Sequence, residues 1–140
     1  MSSLAQSAGH PILLCLKPEP DLLALWHEGV ALAVSLRRPL HALALVPKAR
    51  GAAAAQALQQ ELDKLAAQAR EAVPQLDVLV TVELLSGLVE RRIMSVVQER
   101  TARLVVIGRR TRTAKLQAHH HGTTEALLAL IDVPLLILPS

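Results

Sequence analysis

Apolar residues in this chain fall into short aliphatic runs that alternate with longer helical stripes. His10–Leu16 (HPILLCL) is a compact apolar run closed by Lys17-Pro18-Glu19-Pro20. Two prolines bar a continuing helix or strand, so the run reads as a strand with KPEP as its exit loop. Asp21 is placed to cap a helix from Leu22 to about Arg37. On it Leu22, Leu25, Trp26, Gly29, Ala33 and Leu36 recur at helical spacing, and Pro39 ends it. Leu40–Val46 (LHALALV), too short for a free helix before Pro47, is the second strand, and Lys48–Gly51 is a loop. Ala52–Ala72 is rich in strong helix formers, with Leu58, Leu62, Leu65 and Ala69 on one face and Pro74 as its stop. Asp77–Val82 (DVLVTV) is dense in β-branched residues and predicts the third strand. Ser86-Gly87 turns the chain into a third helix, Leu88–Arg100, with Val89, Ile93, Val96 and Val97 inward. Arg103–Gly108 (RLVVIG) is the fourth strand. A polar segment, Arg109–His121, leads to Gly122-Thr123-Thr124 and a short helix, Glu125–Ile131; Asp132-Val133-Pro134 breaks it before a fifth strand, Leu135–Leu138.

Strands separated by helices of this length predict parallel crossovers with helices on both sheet faces. Right-handed crossovers leave few topologies. The expected fold is therefore α/β: a doubly wound three-layer α/β/α sandwich around a five-stranded, mainly parallel sheet of order 3-2-1-4-5. No linker or repeat divides the chain, so residues 1–140 read as a single domain.

Composition sharpens this. Hydrophobic residues make up 51% of the chain but aromatics only 1%, with Trp26 alone and no Phe or Tyr. The core must be built from Leu, Val, Ile and Ala, which suits strands buried on both faces. The apolar stretches Leu22–Leu36 and Ala126–Leu138 are interrupted by polar residues or proline, so no membrane span is expected. Met1–Gly9 lacks the charged and apolar regions of a secretory signal, and Cys15 is the sole cysteine; a cytoplasmic location is the expectation. Trp26 reads as core filler or dimer-surface packing, and His27 and Glu28 as the wet face of the first helix.

The net charge of +3 is unevenly placed. Between Arg91 and Lys115 eight basic residues face a single Glu99, a cluster that could meet an anion or simply be solvated. Ligands of open parallel sheets bind beyond the strand C-termini, where the strand order reverses. Two exits would meet there: Lys17–Pro20 and the long Gly108–Thr124 segment. The latter has Arg109, Arg110 and Arg112 near one end and a helix N-terminus at the other, so phosphate chemistry is plausible on physical grounds.

From Leu104 to Pro139 the sequence LVVIGRRTRTAKLQAHHHGTTEALLALIDVPLLILP resembles the C-terminal signature of the universal stress protein family. Nucleotide-binding members carry G-x2-G-x9-G-[ST]. Gly108 matches the first glycine and Gly122-Thr123 the closing pair. Thr111 replaces the middle glycine, and the spacing to Gly122 is one residue longer. Binding members also end the first strand near an acidic residue, where this chain has Leu16-Lys17-Pro18. The resemblance therefore implies a stress-response or regulatory module acting through protein partners, without tight ATP binding and with no certain cofactor. The KPEP exit resembles that of stress-protein-like modules in bacterial potassium-sensor kinases, which supports a regulatory role. The alternative is an ATP-binding member using the Gly108–Thr124 loop. Leu16, Lys17, Leu45 and Val46 would then flank the nucleotide, and Gly108, Arg109, Arg110, Gly122, Thr123 and Thr124 would hold phosphate. A homodimer through the C-terminal strand Leu135–Pro139 is expected, since an apolar edge invites pairing and the family's dimers often use that strand.

No paired carboxylates, Ser/His/Asp set or P-loop is present. The chain is read as a non-enzyme, with weak ATP hydrolysis left open. His119-His120-His121 lack the spacing of a metal site, so no metal is expected. Cys15 reads as a small buried hydrophobe. A nucleic-acid partner is disfavoured because the chain has no stacking platform of aromatic side chains.

Overall fold

The computed structural model describes residues 10–108 and 131–138. Five strands are present: β1 (Ile12–Leu16), β2 (Leu40–Pro47), β3 (Val78–Leu85), β4 (Leu104–Gly108) and β5 (Leu135–Leu138). Three helices connect the first four: α1 (Leu22–Leu36), α2 (Gly51–Ala72) and α3 (Val89–Arg100). All pairings are parallel, in the order β3-β2-β1-β4-β5, as the sequence predicts. The expected Glu125–Ile131 helix lies outside the described residues, apart from Ile131.

Side-chain parity on the strands sorts the core into two halves. In a strand, successive side chains point to opposite faces. Ile12, Leu14 and Leu16 of β1 join Leu40, Ala42, Ala44 and Val46 of β2 under α1 and α2. Leu13 of β1, Leu43 and Leu45 of β2, and Val105 and Ile107 of β4 meet Ile93, Val96 and Val97 of α3 on the other face. Both faces of β1 and β2 are thereby covered, which is why their sequences read as continuous apolar runs. Trp26 is 2% exposed and fills the α1/α2 half, so it is core, not dimer surface. His27 and Glu28 are exposed, as expected.

Several expectations need correction. Leu36 was placed on the inward face of α1 but is 49% exposed. The helix closes there with Arg37 in the left-handed conformation (φ 55), its N–H donating to Val34 O and that of Arg38 to Ala33 O. Residues Lys48–Arg50, expected as loop, form a single 3-10 turn. Strand β3 continues past Val82 to Leu85, because β2 extends alongside it up to Pro47↔Leu85. It then turns at Gly87, whose φ of 94 suits glycine.

The outer edge of β3 is guarded. Asp77 O accepts from Leu40 N–H on the β2 side, so the next carbonyl, Val78 O, faces outward; there Arg70 of α2 donates to it through Nη2 at 3.1 Å. A guanidinium over an edge carbonyl discourages another strand from pairing.

Close approach of α1 to β1 depends on Gly29. A Cβ built there would lie 2.5 Å from Cδ2 of Leu14, which is fully buried. Alanine is the better helix former by about 1 kcal/mol. Nevertheless Gly29→Ala is expected to destabilise the protein by about 1–3 kcal/mol, because the centre is already packed. Urea denaturation of the two proteins checks this; a more stable variant would contradict the packing shown here.

Candidate functional site

The carboxyl ends of the strands gather at one rim. β1 and β2 run in register to Leu16↔Ala44, and β2 continues through Leu45 and Val46. The β1–β4 pairing, Ile12↔Leu104 to Leu14↔Val106, carried forward, sets Leu16 level with Gly108. Leu16, Lys17, Leu45, Val46 and Gly108 are thus brought together on the C-terminal side of the sheet. Leu16, Leu45 and Val46 are buried, Val46 completely, so only their backbone can meet a ligand. Lys17 is exposed. Arg109, Arg110, Gly122, Thr123 and Thr124 lie outside the described residues, as do Thr111 and His119–His121.

The KPEP exit is a tight reversal. Glu19 N–H donates to Lys17 O at 2.8 Å and Leu22 N–H to Glu19 O at 3.0 Å, bringing the start of α1 back over the rim. Asp21 occupies the position before the helix, but its side chain makes no capping bond, contrary to expectation. Its carboxylate instead sits beside Gly108: a Cβ on that glycine would lie 3.9 Å from Asp21 Oδ2 and 3.0 Å from Leu25 Cδ2. Gly108 is therefore explained first by the close seat of α1 against the end of β4. Asp21 is the rim residue that sequence reasoning assigned to another task. Only the KPEP turn, which folds the helix start over β4, could have signalled it.

Chemically, the described half of the rim offers backbone groups, an exposed ammonium and a carboxylate. A carboxylate beside Gly108 opposes a bare phosphate and accepts well from a hydroxyl. The described residues thus suit a hydroxyl better than a phosphate.

The basic cluster divides. Arg92 is held by Glu83 of β3 through two bonds of 2.8 Å, from Nε to Oε1 and from Nη2 to Oε2, with Glu99 3.7 Å from Nη1. These bonds hold Glu83 below the usual carboxylate range and raise Arg92 further. Arg100 and Arg103 lie at the opposite rim, where Arg103 N–H donates to Pro11 O at 2.9 Å as β4 begins. Among the described residues the basic cluster is consequently not one surface.

Cys15, expected to be buried, is half-buried against the α3 half of the core; desolvation pushes its thiol up to about 12, opposed by Lys17. On the same face His41 is 4% exposed, with Nε2 3.0 Å from Thr81 Oγ1. Burial, aided by the Arg100 charge and opposed by Glu83, lowers its imidazole to about 4. Among the described residues no group of three His, Cys, Asp or Glu side chains is placed to hold a metal ion, and no helix is long and apolar enough to cross a membrane.

The family model for the universal stress protein family matches residues 10–139. The chain belongs to that family. Solved structures share its fold at low identity. A universal stress protein from Burkholderia pseudomallei is 18% identical, with a TM-score of 0.64, covering 93% of this chain and 96% of its own. The universal stress protein UspA from Lactobacillus plantarum is 18% identical with a TM-score of 0.56, covering 94% and 98%. One from Archaeoglobus fulgidus is 14% identical with a TM-score of 0.65; it covers 96% of this chain, which spans only 45% of that longer one. No curated protein matches in sequence.

Two measurements check the electrostatics of this universal stress protein. Because His41 is held neutral to about 4, the unfolded chain takes up its proton first as pH falls. Its contribution is intact above the ordinary histidine value near ~6.5, is lost as pH falls towards 4, and then levels off; the loss is on the order of 2–3 kcal/mol. Urea denaturation between neutral pH and 4 should show that loss, and His41→Gln should flatten it. Cys15 should react slowly with a thiol reagent at neutral pH and far faster in denaturant; equal rates for the native and denatured protein would contradict its raised thiol.

Proposed function

We propose that this universal stress protein is a stress-response regulatory module of the cytoplasm that acts as a homodimer and through protein partners, without tight ATP binding and without catalysis of its own. One observation carries the reading. β5 ends the sheet, no described strand lies beyond it, and Leu136 and Ile137 are 36% and 38% exposed on it. An apolar strand with a free hydrogen-bonding edge gains by pairing with a second copy across a two-fold axis. Ligand chemistry supports the same reading. The motif's middle glycine is Thr111, and a carboxylate stands beside Gly108 where phosphate would approach.

A second reading has its own support: an adenine nucleotide held at the carboxyl rim, using the Gly108–Thr124 loop. Asp21 would accept a ribose hydroxyl, backbone groups of Leu45 and Val46 would border the base, and Lys17 would lie at the entrance. When bound, the nucleotide would supply a phosphate chain whose charge the arginines after Gly108 could balance.

Light scattering coupled to size exclusion is expected to give a dimer for the native chain and a monomer for Ile137→Lys. A monomeric native protein at tens of micromolar would overturn the first reading. Calorimetry with ATP and magnesium is expected to show no saturable heat at millimolar nucleotide. Saturable binding that Gly122→Val abolishes would put the second reading first.

A further inference from the structure

Carried back one step, the pairings Ile12↔Leu40 and Ile12↔Leu104 set Pro11 level with Pro39 on one side and with Arg103 on the other. The bonds from Ile12 N–H to Pro39 O and from Arg103 N–H to Pro11 O, both 2.9 Å, fix that alignment. Arg38 precedes Pro39 and donates through Nη1 to His10 O at 3.2 Å. Arg38 and Arg103 therefore flank the entry to β1, about 10 Å apart by strand spacing. Arg37 stands next to Arg38 at the close of α1. Arg100, at the end of α3, lines a half-open hollow with Pro11 and Pro39. Guanidinium side chains thus gather around the start of one strand, opposite the carboxyl rim.

Arg37, Arg100 and Arg103 are exposed, and none forms an ion pair among the described residues. Glu99, the neighbour of Arg100, is turned instead to Arg92 and Ser95. The other acidic residues of this side stand at its flanks: Glu71 at the end of α2, Asp77 before β3 and Asp132 before β5. Of these, Asp77 also borders the hollow. The rim is basic over the entries to β2, β1 and β4 and acidic beyond them. The negative ends of α1 and α3 offset part of that charge, and the remainder draws anions from solution. A nucleic acid, negative along its whole length, would meet Asp77 and Asp132 at the flanks, and the sole aromatic side chain, Trp26, is buried and cannot stack on a base.

We propose that the amino rim is a docking surface for a short acidic segment of a partner protein, with neutral or basic neighbours on either side of its acidic run. An extended chain covers the ~10 Å from Arg38 to Arg103 in about three residues, which sets the length of the run. Its carboxylates take bonds from the Arg100 and Arg103 guanidiniums, whose flat forks match them, with Arg37 and Arg38 beside. Asp77 and Asp132 disfavour anything acidic beyond that run. The inference rests on the reading that this protein acts through partners, and it adds where one is held and by what chemistry.

A fluorescently labelled peptide of consecutive glutamates between glycines, titrated with the full-length chain at low ionic strength and read by anisotropy, tests the proposal. Saturable binding that weakens as salt is added is expected. Replacing Arg100 and Arg103 together by Gln, changes at exposed positions, should weaken it by roughly tenfold. Arg91→Gln, at the other end of α3, should leave it unchanged. The same titration on Ile137→Lys separates this surface from strand pairing: binding is expected to persist there whatever the oligomeric state. No saturable binding at millimolar concentration, an equal loss in Arg91→Gln, loss in Ile137→Lys, or tighter binding of a single-stranded oligonucleotide of equal charge would each overturn it.

Discussion

Burial of β1 on both faces at once is the constraint from which the rest of the molecule follows. Ile12, Leu13 and Leu14 are fully buried and Leu16 nearly so, although alternate members point to opposite layers. Each such aliphatic side chain contributes about 2 kcal/mol on burial. That gain is available only if helices cover both sides and strands flank both edges. Parallel neighbours β2 and β4 satisfy the edges, α1 and α2 cover one face, and α3 covers the other. Gly29 shows how tightly this is drawn, since the helix can lie over Leu14 only where a side chain is missing.

Once the central strand is fixed, its two ends acquire different chemistry. At the carboxyl end the chain must turn back immediately to cover the sheet, and the proline-rich reversal drops Asp21 beside Gly108. At the amino end, strands enter from prolines and helix α3 finishes, leaving charged residues around a small hollow. The same stretch of basic sequence serves both ends: Arg92 is consumed by an ion pair on the sheet face, while Arg100 and Arg103 lie at the entry side.

The strands and helices were legible because aliphatic runs of this length, cut by proline or glycine, have few other ways to bury themselves. Sheet order was legible because right-handed crossovers restrict it. Less legible were features set by neighbours distant in sequence. The extension of β3 past Val82 looks unfavourable until Arg92 is seen to neutralise Glu83. Leu36 carries the helical period of its neighbours, yet it falls past the end of the covered surface. His41 sits unremarked within LHALALV, and only the pairing of β2 with β3 reveals its Thr81 partner. Asp21 has the local signature of a helix cap, and tertiary placement over β4 overrides it. Of the candidate site, Leu16, Lys17, Leu45, Val46 and Gly108 converge as their strand positions implied.

The two borders of the sheet are not equivalent. Both present exposed aliphatic side chains, Leu79 and Leu84 on β3 and Leu136 and Ile137 on β5, but at β3 a guanidinium from α2 occupies the first outward carbonyl. A sheet that can be extended from one side alone cannot propagate as a fibre, since every addition at the open side consumes it and the far side offers no fresh template. In the homodimer proposed above, a border so capped at β3 would confine strand pairing to β5 and so to a closed pair.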